Sequence, residues 1–204
     1  TLLNGYNGTF KFNFGSTPYE ADIFWFGTFF SRNQNYMADR FRLSGFFNYN
    51  YGKTQLNPSE EIWEDGPSIG GFSANALISY RHGQTTNDVF QLDMIYTSGD
   101  DNNLTDDNYS GVLTGNMWGA PGGIYVSSGA YLLFPSLNVV NRFTPVVSDI
   151  SNMGYGLTGA TLSLKKDLIP HQLNVKAGSA FAMSNVEPRG GGTILGNEYF
   201  GAVE

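Results

Sequence analysis

Residues 41–51 decide the predicted fold, and they read Phe41-Arg42-Leu43-Ser44-Gly45-Phe46-Phe47-Asn48-Tyr49-Asn50-Tyr51. The odd-numbered positions carry Phe, Leu, Gly, Phe, Tyr and Tyr, while the even-numbered positions are polar except for Phe46. Successive side chains of a β-strand point to opposite faces, whereas an amphipathic helix repeats every three to four residues. The alternation predicts a strand with one apolar and one polar face. Its length is close to the roughly 9–11 residues that a tilted strand needs to cross a bilayer.

The same period of two recurs along the chain. Clear alternation predicts strands over 9–14, 69–82 and 88–98, and a weaker pattern predicts one over 173–183. Less regular apolar stretches predict strands over 21–30, 124–134 and 155–165, and a further strand begins near Leu195. We therefore expect an all-β protein, an antiparallel transmembrane β-barrel of outer-membrane type, with about eight or nine strands in this stretch.

The connections between these strands alternate in length, as they do in barrels with short periplasmic turns and long outer loops. Residues 83–87 and 166–172 are short connections, and residues 52–68, 99–123 and 184–193 are long, polar segments. We predict that the long loops face outside. The chain ends in what looks like the opening of another strand, so we treat residues 1–204 as a single β-barrel domain, incomplete at both ends and part of a larger barrel.

Composition supports this class of fold and excludes others. Only 14% of the residues are charged, against about 25% in a typical soluble domain, and the net charge is −7. Eleven Lys and Arg against eighteen Asp and Glu leave no basic face for phosphates, so a nucleic-acid partner is excluded. There is no cysteine, and no apolar run is long enough for a transmembrane helix. The expected location is the bacterial outer membrane, with lipid as a partner.

Two short motifs resemble a known family. The run Phe90-Gln91-Leu92-Asp93-Met94-Ile95-Tyr96-Thr97-Ser98-Gly99-Asp100-Asp101 is a predicted strand entering a Gly-Asp loop, and Leu195-Gly196-Asn197-Glu198-Tyr199-Phe200 opens a strand after a Gly-rich loop. Both are similar to elements of the alginate-export-type porins of Gram-negative outer membranes. The resemblance covers about a third of the chain. It implies a barrel of many strands, but the family's arginine-lined selectivity pore has too few matching Arg and Lys positions here to be carried over.

The polar face of each strand would line the lumen of such a barrel. The residues predicted to do so, and to contact solute, are Lys11, Arg40, Arg42, Asn48, Asn50, Arg81, Gln91, Asp93 and Lys176. An alternative is that these side chains form a hydrogen-bonded network that fills or stiffens the lumen. If the 83–87 turn is the hairpin centre, Arg81 lies opposite Gln91 and Ser79 opposite Asp93, which predicts an ion pair between Arg81 and Asp93.

Arg40 and Arg42 are two residues apart and would form a positive strip on one face, which favours anionic solutes. They could equally be paired with Asp22 or Asp39. The aromatic residues also have two interpretations, as belts at the bilayer interfaces or as platforms for sugars. We favour belts for residues at strand ends. The aromatic residues considered are Trp25, Trp63, Trp118, Tyr49, Tyr51, Tyr80 and Tyr96.

The remaining chemistry is sparse. The acidic loop 99–108 could bind calcium, but it lacks the Asp-x-Asp-x-Asp-Gly spacing, and a solvated outer loop is the favoured interpretation. His82 and His171 adjoin predicted short turns without a positioned partner. The adjacent carboxylate pairs Glu60-Glu61 and Glu64-Asp65 lie in a predicted exposed loop, with no separation that points to a glycosidase. We therefore expect no enzyme activity, catalytic residue, cofactor or metal.

Three functions remain for comparison. The first is a porin-like channel for passive diffusion of small polar or anionic solutes. The second is a plugged barrel, or one that encases another protein, with a structural or interaction role. The third is a secreted carbohydrate-binding β-sandwich, which the long strands disfavour. Because eight strands alone close a barrel too narrow for an open pore, the channel hypothesis requires the larger barrel.

Overall fold

The protein folds as a single β-sheet. The computed structural model describes residues 16–59, 61–101, 106–113, 130, 133, 150–170, 172–188 and 190–203. In this part of the chain the strands are β1 (Tyr19–Arg32), β2 (Phe41–Leu56), β3 (Glu64–Arg81), β4 (Val89–Thr97), β5 (Asn108–Tyr109), β6 (Leu157–Ile169), β7 (Leu173–Ser184) and β8 (Ile194–Val203). A 3-10 turn at Asn152–Gly154 precedes β6. No helix among the described residues is both long and apolar enough to cross a membrane.

The strands follow one another in an antiparallel meander, β1-β2-β3-β4-β6-β7-β8. The two-residue strand β5 departs from this order, because it pairs in parallel with β3 at Ser68 and Ile69. Among the described residues, β1 and β8 are the edge strands and the sheet is not closed into a barrel. The prediction of an all-β antiparallel fold is confirmed at this level.

Most of the predicted strands correspond to strands of the structure. The strand predicted at 41–51 is β2, and the predictions at 21–30, 69–82, 88–98, 155–165, 173–183 and near Leu195 correspond to β1, β3, β4, β6, β7 and β8. The predicted strands at 9–14 and 124–134 lie outside the described residues, apart from Ala130 and Leu133.

The long loop predicted over 52–68 is wrong, since β2 continues to Leu56 and β3 begins at Glu64. Gly66 and Pro67 lie at an irregularity in the strand pair, where the register shifts between Lys53 and Gln55. Thr54 donates a hydrogen bond to the carbonyl oxygen of Pro67 there, at 2.8 Å. Proline is tolerated at such a bulge because the ladder is already interrupted. The 166–172 connection is also shorter than predicted, because β6 extends to Ile169.

The two ends of the sheet differ in their connections. Residues 33–40, 82–88 and 170–172 join strands at one end, which we call the turn end. Residues 57–63, 98–156 and 185–193 join strands at the opposite end, which we call the loop end. The connection 98–156 is by far the longest, and it contains β5 and the 3-10 turn.

The sheet has one apolar face and one polar face. The apolar face carries Phe47 and Tyr49 of β2, Phe72 of β3 and Tyr96 of β4, all of them exposed. The polar face carries the intervening residues, including buried Ser73, Ser79 and Asp93, as well as several apolar side chains. The apolar face is therefore the more exposed of the two. In a soluble sheet packed on a hydrophobic core, the apolar face is instead the buried one.

The described residues of the long connection 98–156 pack on the loop-end half of the polar face. Ala130, Leu133 and Ile150 of the connection form a buried cluster with side chains of β4, β6 and β7. A second buried cluster joins Tyr109 and Leu113 to Ile69 of β3, with partly buried residues of β1 packed against it. The core of the described structure therefore lies between the sheet and this connection.

Candidate functional site

Two rows of aromatic side chains cross the apolar face. At the turn end, Tyr80 lies opposite both Phe41 and Phe90, and the rings of Phe41 and Tyr80 are 4.8 Å apart. At the loop end, Phe72 lies opposite Tyr49, and its ring is 5.4 Å from that of Tyr96. These residues are on neighbouring strands, so each row runs across the sheet. We call them the turn-end row (Phe41, Tyr80, Phe90) and the loop-end row (Tyr49, Phe72, Tyr96).

The band between the two rows is apolar. On β2, β3, β4 and β6 the exposed face between the rows carries no charged side chain, and it includes Leu43, Ile78, Met94 and Leu162. From Phe72 to Tyr80 the strand covers about nine residues, or about 26 Å at 3.3 Å per residue. A membrane-crossing strand needs roughly 9–11 residues. The distance between the two rows along β3 is therefore similar to the length of a membrane-crossing strand.

Seven of the nine residues predicted to line a pore lie on the polar face. Direct pairing places Asn48 opposite Ser73, and Gln91 opposite Ser79. The other members of this group are Arg42, Asn50, Arg81, Asp93 and Lys176. Arg40 differs, since it precedes β2 in the exposed connection 33–40, where its carbonyl oxygen accepts a hydrogen bond from the backbone N–H of Arg81. Lys11 lies outside the described residues.

The predicted strip of Arg40 and Arg42 stays a prediction, because Arg42 belongs to β2 and Arg40 is the residue directly before it. Asp39, one of the two acidic partners suggested for these arginines, forms an exposed salt bridge with Arg32 in the 33–40 region. The guanidinium of Arg32 and the backbone N–H of Phe41 hold the pKa of Asp39 below its ordinary value. This pair stabilises the turn and has no contact with the polar face.

The predicted register of the β3–β4 hairpin is also wrong, by two residues. Arg81 lies opposite Val89, and Asp93 lies opposite Leu77. The two charged residues are therefore four positions apart along the ladder, about 13 Å at 3.3 Å per residue, and are not diagonal neighbours. Asp93 instead accepts a hydrogen bond from Asn75 Nδ2 at 2.7 Å. The backbone N–H of His82 donates a hydrogen bond to the Asp88 carbonyl oxygen, and a turn over 83–87 places Arg81 opposite Val89 and not opposite Gln91.

The correct register reveals a row of basic residues that the sequence alone did not. Arg81 lies opposite Val89, Val89 opposite Lys165, and Lys165 opposite Lys176. Arg42 lies opposite Ser79, which makes it a diagonal neighbour of Arg81 on the same face. We call Arg42, Arg81, Lys165 and Lys176 the basic row. Lys165 was missed because the alternation in 155–165 is too irregular to assign its faces from the sequence.

The long connection is tied to the polar face by side chains of β1 and β2. Trp25 Nε1 donates a hydrogen bond to the carbonyl oxygen of Leu113 at 3.0 Å. The backbone N–H of Leu113 donates to Oδ1 of buried Asn50 at 2.9 Å. Gly71 permits this close approach, since a Cβ at that position would lie 2.2 Å from the carbonyl oxygen of Gly111. Trp25 thus anchors a loop and does not belong to the aromatic rows, whereas Tyr49, Tyr51, Tyr80 and Tyr96 lie on the apolar face.

A second tie joins the connection to the far side of the sheet. The backbone N–H of Leu133 donates a hydrogen bond to Oε2 of Glu198 on β8, at 2.8 Å. Glu198 is 9% exposed, so the carboxylate is held in a largely buried position. The described residues of the connection therefore contact β1 and β2 through Leu113 and β8 through Leu133.

The carboxylate of Asp100 stabilises the acidic loop itself. Oδ1 of buried Asp100 accepts hydrogen bonds from the backbone N–H of Ser110 at 2.9 Å and from the Ser110 hydroxyl at 3.2 Å. The Asp107 carbonyl oxygen accepts from Ser68. Within the described part of the chain, no group of three or more His, Cys, Asp or Glu side chains is placed to hold a metal ion. Residues 102–105 lie outside the described residues.

At the turn end, Asp88 joins the β3–β4 and β6–β7 hairpins. Its Oδ1 atom accepts hydrogen bonds from Lys166 Nζ at 2.9 Å and from the backbone N–H of Asp167 at 3.1 Å. The Lys166 ammonium and the backbone donors hold the pKa of Asp88 well below its ordinary value, against the opposing effect of burial. Nearby, half-buried His82 has its Nε2 atom 3.2 Å from the Lys165 carbonyl oxygen. His171 and Trp118 lie outside the described residues, and Trp63 lies in the connection 57–63.

No protein-family model, curated protein or solved structure matches this chain. The resemblance to alginate-export-type porins therefore stays a prediction that depends on the two motifs quoted above. The described residues form an all-β antiparallel sheet with an exposed apolar face and an opposite polar face, on which part of a long connection packs.

Proposed function

We propose that this sheet is part of the wall of a bacterial outer-membrane β-barrel channel, through which small polar or anionic solutes diffuse. The exposed apolar face carries the proposal. A contiguous apolar surface of this size is rare on soluble monomers and needs a nonaqueous neighbour. Its two aromatic rows and the uncharged band between them correspond to the interfacial girdles and apolar band of outer-membrane barrels.

The polar face supports the channel in this proposal. In a membrane-spanning barrel the side chains alternate between lipid and lumen along each strand. The residues that would then face the lumen include Arg42, Asn48, Gln91 and Lys176. Passive diffusion requires no catalytic group and no cofactor, and we assign none.

Closure of the barrel is part of the proposal. In the described part of the chain β1 and β8 have unpaired edges, and the bilayer interior offers no water for their backbone N–H and C=O groups. The proposed barrel therefore contains strands in addition to the seven long ones described. A wider barrel also provides the lumen that eight strands would not leave open.

A plugged or partner-encasing barrel is the second candidate, and a specific observation favours it. Described residues of the connection 98–156 are tied to Asn50, Trp25 and Glu198 at the loop end of the polar face. A connection held at both sides of the sheet would narrow the lumen or fill it. The channel and the plug thus differ in one quantity, the area left open beside this connection.

Single-channel conductance of the full-length protein in planar bilayers separates the two candidates. The channel predicts stable open steps, and the reversal potential in a salt gradient gives the ion preference. A protein that inserts but conducts no ions would refute the open channel and favour the plugged barrel. A protein that remains in solution without detergent and does not insert would refute both the channel and the plugged barrel. That result would favour the secreted carbohydrate-binding β-sandwich.

A further inference from the structure

An exposed phenyl ring lies on the polar face near one edge of the sheet. Phe29 of β1 is 65% exposed and lies directly opposite half-buried Phe46 of β2. Phe46 in turn lies opposite Asn75 of β3, which places both rings on the polar face and not on the apolar face. Binding sites for small molecules combine aromatic surface with a few polar groups. This phenyl pair therefore offers apolar area to a solute on an otherwise wet face.

A shallow cleft lies beside the two rings, and Gly27, Thr28 and Asn48 complete its lining. Gly27 lies directly opposite Asn48, and a Cβ at Gly27 would be 2.6 Å from Asn48 Oδ1. The missing side chain thus leaves room for the amide beside the rings. Phe46 packs against the buried cluster of β4, β6, β7 and the connection, which holds its ring in place before a ligand arrives. Because aromatic rings prefer offset-stacked or edge-to-face contacts, the cleft suits a planar ring.

The described contacts between β1 and the connection 98–156 lie nearer the loop end than this cleft. Trp25 donates its hydrogen bond to Leu113 there, four residues or about 13 Å along β1 from Phe29. The residues of β1 that pack against the cluster of the connection are Tyr19, Ala21 and Ile23. The cleft is therefore distinct from the place where the connection is anchored.

Two arginines lie on the same face towards the turn end. Arg42 is four residues from Phe46 along β2, about 13 Å at 3.3 Å per residue. Ser44 lies between them on the polar face, opposite Ser31 of β1. Arg81 of β3 is the diagonal neighbour of Arg42. The order along this face is thus phenyl rings, hydroxyl groups and guanidinium groups.

No carboxylate balances these arginines in the neighbouring strand segments, which are residues 27–31, 42–48 and 73–81. Nε of Arg42 and Nε of Arg81 have no hydrogen-bond partner among the described residues. The guanidinium of Arg81 lies 5.5 Å from the ring centroid of Tyr36, a cation–π contact that leaves its positive charge in place. Arginine binds carboxylates through paired hydrogen bonds, so a carboxylate would satisfy these donors and offset the like charges.

We propose that this part of the polar face binds an aromatic monocarboxylate, with its ring in the cleft of Phe29 and Phe46 and its carboxylate at Arg42. The long arginine side chain and a solute with one ring and a short acid chain together span the interval between cleft and guanidinium. Arg81 adds positive potential beside Arg42. The inference deepens the proposed function, on which it rests for access to the lumen, by naming the class of solute.

Isothermal titration calorimetry of the full-length protein in detergent tests the site without requiring conduction. The probe is 3-phenylpropionate, and three compounds each change one of its features: 3-phenylpropanamide has no charge, propionate has no ring, and octanoate has an alkyl chain in place of the ring. We expect the amide and propionate to bind about tenfold or more weakly than the probe, and octanoate to bind more weakly as well. Tenfold is about 1.4 kcal/mol, and a hydrogen bond to a charged group contributes at least this much.

Variants of the two halves of the site have matched controls. Phe29→Ala should weaken binding of the probe about fivefold through loss of ring contact, whereas Phe26→Ala should not. Phe26 is 66% exposed on the same strand, but it lies opposite Tyr49 on the apolar face. Arg42→Gln should weaken binding about tenfold, and Lys53→Gln, at an exposed lysine of β2 on the apolar side, should leave it intact.

The proposal is overturned if 3-phenylpropionate does not bind the wild-type protein, or if Phe29→Ala binds it as tightly as Phe26→Ala does. Equal affinity for 3-phenylpropanamide would refute the role of Arg42, and equal affinity for octanoate would refute the aromatic class of solute. Open channels without probe binding would refute this site alone, whereas probe binding without channels would refute the proposed function alone.

Discussion

Met94→Arg should distinguish lipid from water on the apolar face. Met94 is 37% exposed and lies opposite Ala76 of β3 and Ala160 of β6. Ala76 is midway between Phe72 and Tyr80, so this level is the middle of the band between the aromatic rows. The two alanines leave room for a long side chain, which removes steric overlap as a cause of instability. Any cost of Met94→Arg therefore reports on the medium that surrounds the face.

The expected magnitude depends strongly on that medium. An arginine on the lipid side of a barrel costs about 2–4 kcal/mol at the bilayer midplane and about 0–1 kcal/mol near the interfaces. On a face in water, a surface substitution usually changes stability by less than about 0.5 kcal/mol. The matched control is Gln55→Arg, on the same face but beyond the loop-end row, opposite Glu20 and Asp65.

The assay is reversible unfolding of the full-length protein by guanidinium chloride in phospholipid vesicles. We expect Met94→Arg to lower the free energy of unfolding by about 2–4 kcal/mol and Gln55→Arg to change it by no more than about 1 kcal/mol. If both variants are within about 0.5 kcal/mol of the wild type, the apolar face does not contact lipid and the membrane assignment fails.

Three further predictions concern the ties that hold the sheet and its connection. Asn50→Ala removes the acceptor of the buried Leu113 N–H and should cost about 1–3 kcal/mol, seen as faster hydrogen exchange at that amide; unchanged exchange would contradict the anchor. Gly71→Ala should displace the connection and increase channel conductance, because its Cβ would be 2.2 Å from the Gly111 oxygen, whereas Gly70→Ala, with its nearest neighbour at 3.7 Å, should do neither. The pKa of Asp88 is lowered in the folded protein, so its ionisation stabilises the fold above about pH 5 and this contribution is lost as the pH falls below about 4. Unfolding measured from pH 6 to pH 3 should therefore show a steeper loss in the wild type than in Asp88→Asn, and equal slopes would contradict the tie to Lys166.

The alternation of side chains was sufficient to predict the strands that lie between the aromatic rows. In β2 every second residue from Phe41 to Tyr51 must face an apolar medium in the predicted fold, and the structure has a strand there. Beyond Tyr51 the alternation ends, because Lys53, Thr54 and Gln55 are polar at successive positions and so on both faces. The residues from Lys53 to Pro67 therefore have no strand pattern in the sequence, although β2 and β3 continue to pair there in the structure.

Side-chain placement on the polar face was predicted less well, for a different reason. The face of Arg42 or Gln91 follows from alternation within one strand, but its neighbours depend on the register between strands. The register of β3 and β4 depends on turn geometry, here on Asp88 accepting hydrogen bonds from the backbone N–H groups of Gln84 and Thr85. A shift of two residues preserves the alternation of faces and changes the neighbours of every charged residue. The row of Arg81, Lys165 and Lys176 consequently required the structure.

The ties of the long connection had no signal in the sequence. Trp25 and Leu113 are 88 residues apart, and nothing in either local pattern pairs an indole N–H with that carbonyl. Asn50 was predicted to face the lumen because it is polar, whereas in the structure it satisfies a buried backbone donor of the connection. Such a residue is indistinguishable by sequence from one that contacts solute.

Spin-label accessibility along β3 tests the central claim most directly. The chain has no cysteine, so single cysteines can be introduced at positions 72–79 and labelled in the full-length protein in vesicles. If the apolar face contacts lipid, the contact of the labels with lipid-soluble oxygen should be high at positions 72, 74, 76 and 78 and low at positions 73, 75, 77 and 79. Contact of the even-numbered labels with a water-soluble nickel complex, at the level seen for label at position 55, would contradict it.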